Sequence, residues 1–259
     1  YVKKLRDKYL IRRTRKNDLS EIKSIKQAIR DVNKIEIDIN EEFIEIYDEI
    51  EYRLKAGELY YYKFLGELKG NTERYKNIDT MASFMLLQQL TSSVSACISG
   101  FANLKRKIEL ILNNDIENLN RSEISEYDTK EEREILSLLL DNKDLIIIEH
   151  KNKLKADIEF INEFINVDTG KLYKNGKPKL NSKEIMFSEL IVEKVKNEQV
   201  IVFVKYIDTG IILKDLLIEN DVVAEFYQGS LSRNQRDDIV QRFKKGEIQV
   251  LIATDSANA

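Results

Sequence analysis

The sequence holds one proline and nine glycines in 259 residues, far below the usual shares of about 5% and 7%. Such a chain is short of turn-makers and rich in helix formers. A single cysteine excludes an internal disulfide, and a single histidine leaves no ordinary zinc site or His-based triad. Disulfide-stapled secreted scaffolds, zinc proteins and His-rich metalloenzymes are therefore excluded. No run approaches the roughly 18 uninterrupted apolar residues of a membrane span, and Tyr1-Val2-Lys3-Lys4 lacks the apolar core of a signal peptide. The expectation is a soluble, cytoplasmic chain without a membrane partner. What is present is charge, at 34%, with 42% hydrophobic residues, enough for a packed core and against global disorder. The length fits one large domain or two ordinary ones.

Charge is unevenly placed. Residues 1–34 carry twelve Lys/Arg against four acids, a net of +8, leaving −11 for the rest of a chain at −3 overall. A basic arm on an acidic body can touch phosphates locally; a solvated helix face with a basic linker has the same composition.

Along the chain, 1–34 reads as the basic linker. Ile35, Ile37 and Ile39 alternate with polar residues as in a half-buried strand. Asn40 suits an N-cap, Glu41 and Glu42 suit the positive end of a helix, and Phe43, Ile46, Tyr47, Ile50 and Leu54 follow at helical spacing to a stop at Gly57. So 35–57 is read as a strand feeding a helix. Segment 58–165 reads as helices almost throughout, with one long amphipathic stripe from Met81 through Cys97 to Ile108. Cys97 reads as a core residue, His150 as a boundary residue, and Tyr60 to Tyr62 as packing area. Residues 166–181 gather Gly170, Gly176, Pro178 and three Asx residues into a loop. In 182–259 the order becomes α-β-α-β-α-β: helix 182–196, the apolar run Val200 to Val204 expected to be buried on both faces, helix 210–219 capped by Asp208 or Thr209, strand 222–226, helix 233–245 opened by a Ser232…Gln235 capping box, and strand 250–253. The fold class is α/β with a parallel sheet of three or more strands, preceded by a large helical insertion.

An α/β unit of this kind binds ligands beyond the carboxyl ends of its strands. Those ends carry Tyr206 to Thr209, Tyr227 to Ser230, and Thr254 to Ser256. Small polar groups and a glycine there suit phosphate oxygens at helix N-termini, with Arg233 and Arg236 one turn apart on the helix after Gly229. Ordinary loop and cap chemistry explains each feature taken alone.

Their spacing carries more. Gly229, Arg236 seven residues on, Phe243, Gly246 and a strand ending in Thr254-Asp255 resemble the second RecA-like lobe of superfamily-two helicases. Val200 to Tyr206 is similar to motif four of that lobe, and Val250 to Ala259 to the first half of motif five. Tyr9-Leu-Ile-Arg-Arg-Thr-Arg-Lys16 resembles the linker signature of Swi/Snf-type ATPases, and Leu86 to Ala96 a helix of the bacterial RapA-like branch. Arg233 stands where DEAD-box members have Gln. The resemblance implies a stretch running from the end of lobe one to motif five of lobe two of an ATP-dependent double-strand DNA translocase. ATP and Mg²⁺ would be held mainly by a first lobe, since neither a G-x-x-x-x-G-K-[ST] nor a Asp-Glu-x-His run occurs, and the chain alone is expected to be inactive. By the same resemblance Gly229, Ser230, Arg233, Arg236 and Thr254 contact nucleic acid, and Arg12, Arg13 and Arg15 contact the backbone or brace the linker. Asp255 and Thr209 are inter-lobe or structural. Two alternatives stand beside this: a strand-separating DNA or RNA helicase, or an inactive helical module docking a protein such as RNA polymerase.

Overall fold

The computed structural model describes residues 34–57, 59–68, 83–113, 130–141 and 148–254. The chain divides into compact units 1–36 and 37–259. Of the first, the described residues are Lys34 to Glu36, whose two charged ends form an exposed ion pair of 3.9 Å. The basic linker and its arginines lie outside the described residues.

Residues 34–40 form no strand. The alternation is present but the partner is not: among the described residues the only sheets are a two-stranded hairpin and a three-stranded parallel sheet. The helix that follows forms as expected. In α1 (Glu41–Lys55) the Asn40 side chain accepts from the Phe43 amide, acids occupy the first turn and Arg53 and Lys55 the last. Phe43, Ile46, Ile50 and Leu54 are buried on one face, and Gly57 ends the helix at φ +73°.

The helical region continues with α2 (Tyr60–Leu68), α3 (83–92), α4 (Val94–Asn113), α5 (Lys130–Asp141) and α6 (Ile148–Ile165). The long amphipathic stripe from Met81 to Ile108 is divided between two helices at Ser93. Its hydroxyl caps α4 by accepting from the Ala96 amide at 3.0 Å. A Cβ on Gly100 would lie 2.1 Å from the Gln89 side chain and 3.0 Å from that of Leu86. In a straight helix Leu86 would sit roughly 20 Å from Gly100, so α3 turns back toward α4 and the glycine makes room for it. The exposure of Phe84 and Met85 follows from that corner. Cys97 is fully buried, as its place on the stripe suggested, and burial pushes its thiol pKa up. The core centres on Phe101, Phe160 and Phe164, whose rings lie 5.4 to 6.0 Å apart. Arg53 reaches across it, 4.3 Å from the Phe160 ring and paired with Glu163. The buried Asp157 of α6 accepts both the Tyr60 and Tyr61 amides, at 2.9 and 2.7 Å, and so caps α2 from another helix. His150 is half-buried, its Nδ1 2.6 Å from the Tyr60 hydroxyl.

The expected loop 166–181 contains a hairpin, β1 (Tyr173–Lys174) and β2 (Lys177–Pro178), turned by Asn175 and Gly176 at φ 53° and 74°. Positive φ at both central residues marks a type I′ turn.

Then comes the α/β part: α7 (Ser182–Lys194), β3 (Val200–Val204), α8 (Ile207–Glu219), β4 (Ala224–Tyr227), α9 (Arg233–Lys244) and β5 (Val250–Thr254). The strands are parallel in the order β3-β5-β4. One face of the sheet, with Val202, Val204, Ala224, Phe226, Val250 and Ile252, packs on Leu213 and Leu217 of α8 and Ile191 of α7. Gly210 allows α8 to lie against the sheet, for a Cβ there would be 2.7 Å from the Phe226 ring. The expectation that β3 is buried on both faces fails: Ile201 and Phe203 are 52% and 59% exposed. β3 and β4 flank the central β5, and α9 packs against β4, at the far side of the sheet from β3. Strand β4 begins at Ala224, later than the expected 222, because the Val222 amide is still bonded to Leu217 at the end of α8 and Val223 to the Gln249 side chain.

Candidate nucleic-acid interface

The carboxyl ends of the three strands lie side by side, because β5 pairs with β3 through Val204 and Thr254 and with β4 through Tyr227 and Ala253. This register brings the turn after β4 next to the end of β5. Gly229 and Ser230 are exposed at that turn, and Thr254 is buried at the last position of β5. Asp255 lies outside the described residues. A Cβ at Gly229 would meet nothing within 4 Å, and its φ is not positive. Neither crowding nor backbone conformation within the chain calls for glycine, which leaves open space against its backbone.

Ser232 closes the turn as the N-cap of α9, with a complete capping box to Gln235. The capped start fixes the direction of the first turn, from which Arg233 projects into solvent. Arg236 follows one turn later and is half-buried, its Nε enclosed with no hydrogen-bond partner among the described residues. A buried guanidinium N–H without an acceptor is a costly arrangement unless an anion approaches it. The back of α9 is tied to β4, where Glu225 receives Lys214 at 2.9 Å and Arg242 at 3.3 Å. Burial works against the ionised Glu225, but these two cations outweigh it and hold its pKa below the ordinary value.

The corner after β3 is built differently. Helix α8 starts at Ile207 with no side-chain cap, so Asp208 and Thr209 lie inside its first turn instead of preceding it. Their side chains are taken by the helical region. Thr209 shares hydrogen bonds of 2.7 Å with Ser93 and 3.0 Å with Ser92, and Asp208 accepts from Ser99 at 2.8 Å. Lys205 donates to Gln88 at 2.7 Å. Thr209, expected to be inter-lobe or structural, is buried and hydrogen-bonded between α3–α4 and α8. No local signal marks these serines, because their partners lie more than a hundred residues away.

Five of the expected site residues thus gather at one edge, namely Gly229, Ser230, Arg233, Arg236 and Thr254. Thr209 is set apart from them. No group of three His, Cys, Asp or Glu side chains that could hold a metal gathers among the described residues. No helix among the described residues is long and apolar enough to cross a membrane.

Residues 181–259 match the family described as helicase conserved C-terminal domain. Among solved structures, the chain is similar to the crystal structure of the Pyrococcus furiosus Hef helicase domain, at 16% identity and a TM-score of 0.43, covering 85% of this chain and 44% of that one. It therefore spans less than half of that structure. No curated protein matches.

Proposed function

We propose that residues 181–259 act as the nucleic-acid-contacting part of the second lobe of an ATP-dependent helicase-like motor, of the Swi/Snf type that moves along double-strand DNA. The observation that carries the reading is the strand-end edge. A glycine backbone with open space, the exposed Ser230 hydroxyl, Arg233 and Arg236 lie on that side of the sheet, beside the buried Thr254, within a segment that matches the helicase C-terminal domain. Phosphate oxygens are the ligand such a set suits: backbone N–H and hydroxyls donate, and guanidinium groups supply charge without reading base edges. The Arg12-Arg13-Thr14-Arg15 run supports translocation in preference to strand separation, through its likeness to the Swi/Snf linker. ATP and Mg²⁺ would be bound by residues other than those described, and no hydrolytic step is assigned to this chain.

The test is ATP hydrolysis by the gene product carrying these residues, measured with no DNA, single strands and duplex. Stimulation by duplex, together with displacement of a third strand from a triplex without unwinding of the duplex, is the expected result. Stimulation by single strands with unwinding would reassign the motor as a strand-separating helicase. The absence of any nucleic-acid-dependent hydrolysis would remove the motor assignment.

A further inference from the structure

Between Thr169 and Lys183 the sequence has five lysines and no acid. The structure sorts them. Lys171 is paired with Glu49 and Lys179 with Glu42, both on α1, and Lys183 reaches only the Thr91 carbonyl at 3.5 Å. Lys174 and Lys177, on the two arms of the hairpin, are exposed and have no ion pair among the described residues. Lys174 lies near enough to Glu42 to help lower its pKa, after the hydrogen bond and charge of Lys179, but does not bond to it.

The placement of those two lysines is unusual. They are directly opposite in the hairpin register, so their Cβ atoms are about 5 Å apart and their like charges repel. The backbone does not relax that repulsion, because the hairpin is anchored. Leu172 is fully buried. The Lys171 and Leu172 amides donate to the Glu163 and Phe164 carbonyls of α6 at 2.9 and 3.0 Å, and the Lys179 amide closes onto Leu172 at 2.9 Å. Gly170 fits beneath only because it has no Cβ, which would lie 2.5 Å from the Asn166 carbonyl oxygen. The anchored backbone thus holds two exposed lysines opposite each other, with the neighbouring carboxylates Glu42 and Glu49 already engaged, an arrangement that suits an anion bridging them.

Lys174 and Lys177 line a cavity of about 600 Å³ with Glu42, Phe43 and Ile46 of α1. The hairpin runs on through Leu180 into the N-terminus of α7, where Lys183 and Phe187 line a separate cavity of about 250 Å³ with Val204 and Lys205 at the end of β3. We infer that the Tyr173–Pro178 hairpin is a second phosphate-backbone contact, in which Lys174 and Lys177 grip nucleic acid held at the edge formed by Gly229 and Thr254. The inference rests on the nucleic-acid reading proposed above.

The experiment uses the 259-residue chain and fluorescein-labelled 30-mers, single-stranded and duplex, titrated from 50 to 200 mM KCl. Each lost phosphate contact lowers the log–log salt slope by about 0.7 on single strands and 0.9 on duplex. The double variant Lys174→Gln/Lys177→Gln is therefore expected to lose about 1.4 to 1.8 of that slope and to bind roughly ten-fold more weakly at low salt. Lys174→Arg/Lys177→Arg is expected to keep both. Without DNA the Gln variant should melt no lower than the parent, since it loses only a repulsion. If the parent binds and the Gln variant binds with the same slope, the hairpin contact is overturned while the edge reading stands. If Arg fails to preserve binding, charge is not what the hairpin supplies, and the inference falls likewise. A parent that binds no nucleic acid defeats the edge reading and the inference together. Polyglutamate binding as tight as DNA would reassign the hairpin to an acidic polypeptide.

Discussion

Replacing Thr209 by valine tests whether the helical region and the α/β part are joined by a hydroxyl chain. Valine matches threonine in shape, so packing is kept and one hydroxyl is lost. Ser93 accepts the Ala96 amide, which leaves its own proton to be placed, and the acceptor within reach is the Thr209 oxygen at 2.7 Å. Thr209 in turn can donate to Ser92 at 3.0 Å. Ser93 is fully buried and Thr209 is 7% exposed, so water does not replace the lost partner. An orphaned buried hydroxyl costs about 1–3 kcal/mol. Ser92 is half-exposed and recovers its bond from solvent, so the expected loss for Thr209→Val is about 2 kcal/mol. Thr209→Ser keeps the oxygen and loses one methyl, at about 0.8 kcal/mol. Burial alone would rank these two substitutions the other way. Urea unfolding at pH 7 measures both, and a double-mutant cycle with Ser93→Ala should show coupling of about 0.5–3 kcal/mol. Valine as stable as threonine, or effects that simply add, would refute the hydroxyl chain. Because Thr209 faces the helices and not the open edge, its replacement should leave the salt slope of DNA binding unchanged; a lower slope would return Thr209 to the phosphate contacts.

Gly229→Ala should change stability by no more than about 0.5 kcal/mol, since its Cβ meets nothing, yet weaken duplex binding several-fold. Unaltered binding would mean that no phosphate approaches that backbone. Gly210→Ala gains up to about 1 kcal/mol of helix propensity but loses about 1–3 kcal/mol by crowding the Phe226 ring at 2.7 Å, so urea unfolding should show net destabilisation. Burial raises the Glu184 carboxyl from 4.5 to about 7, with the Asn181 and Val94 amides opposing the shift. The folded state therefore holds this proton more tightly than the unfolded chain does. Its contribution is fully favourable below about pH 4.5 and declines as pH rises to about 7, by an amount on the order of 3 kcal/mol at most. Glu184→Gln, which can still accept from the Asn181 amide, should flatten that decline in urea midpoints and be the more stable form at pH 8. A parent whose stability does not fall between pH 5 and 8 would contradict this.

What the sequence disclosed follows the range of the forces involved. Asn40 over Phe43, the Ser232–Gln235 box and the stop at Gly57 are settled within four residues, and all three are found. The run Val200 to Val204 identifies a strand because its residue types favour one. It does not say how many faces are covered, and with α9 packed against β4 at the far side of the sheet Ile201 and Phe203 stay open. The break at Ser93 and the start of α8 at Ile207 could not be read locally. Each depends on the other through hydroxyls 116 residues apart, and at Thr209 that bond replaces the cap which sequence favoured. The Asn175-Gly176 turn was present as a signal, but two-residue arms offer no alternation to reinforce it. The edge itself was legible because an α/β order places every strand end on one side. The hydrogen bonds that hold Thr209 were not, since the serines of α3 and α4 that make them lie 116 and 117 residues away in sequence. The helical region thus occupies the corner after β3, while the turn after β4 stays exposed at Gly229 and Ser230.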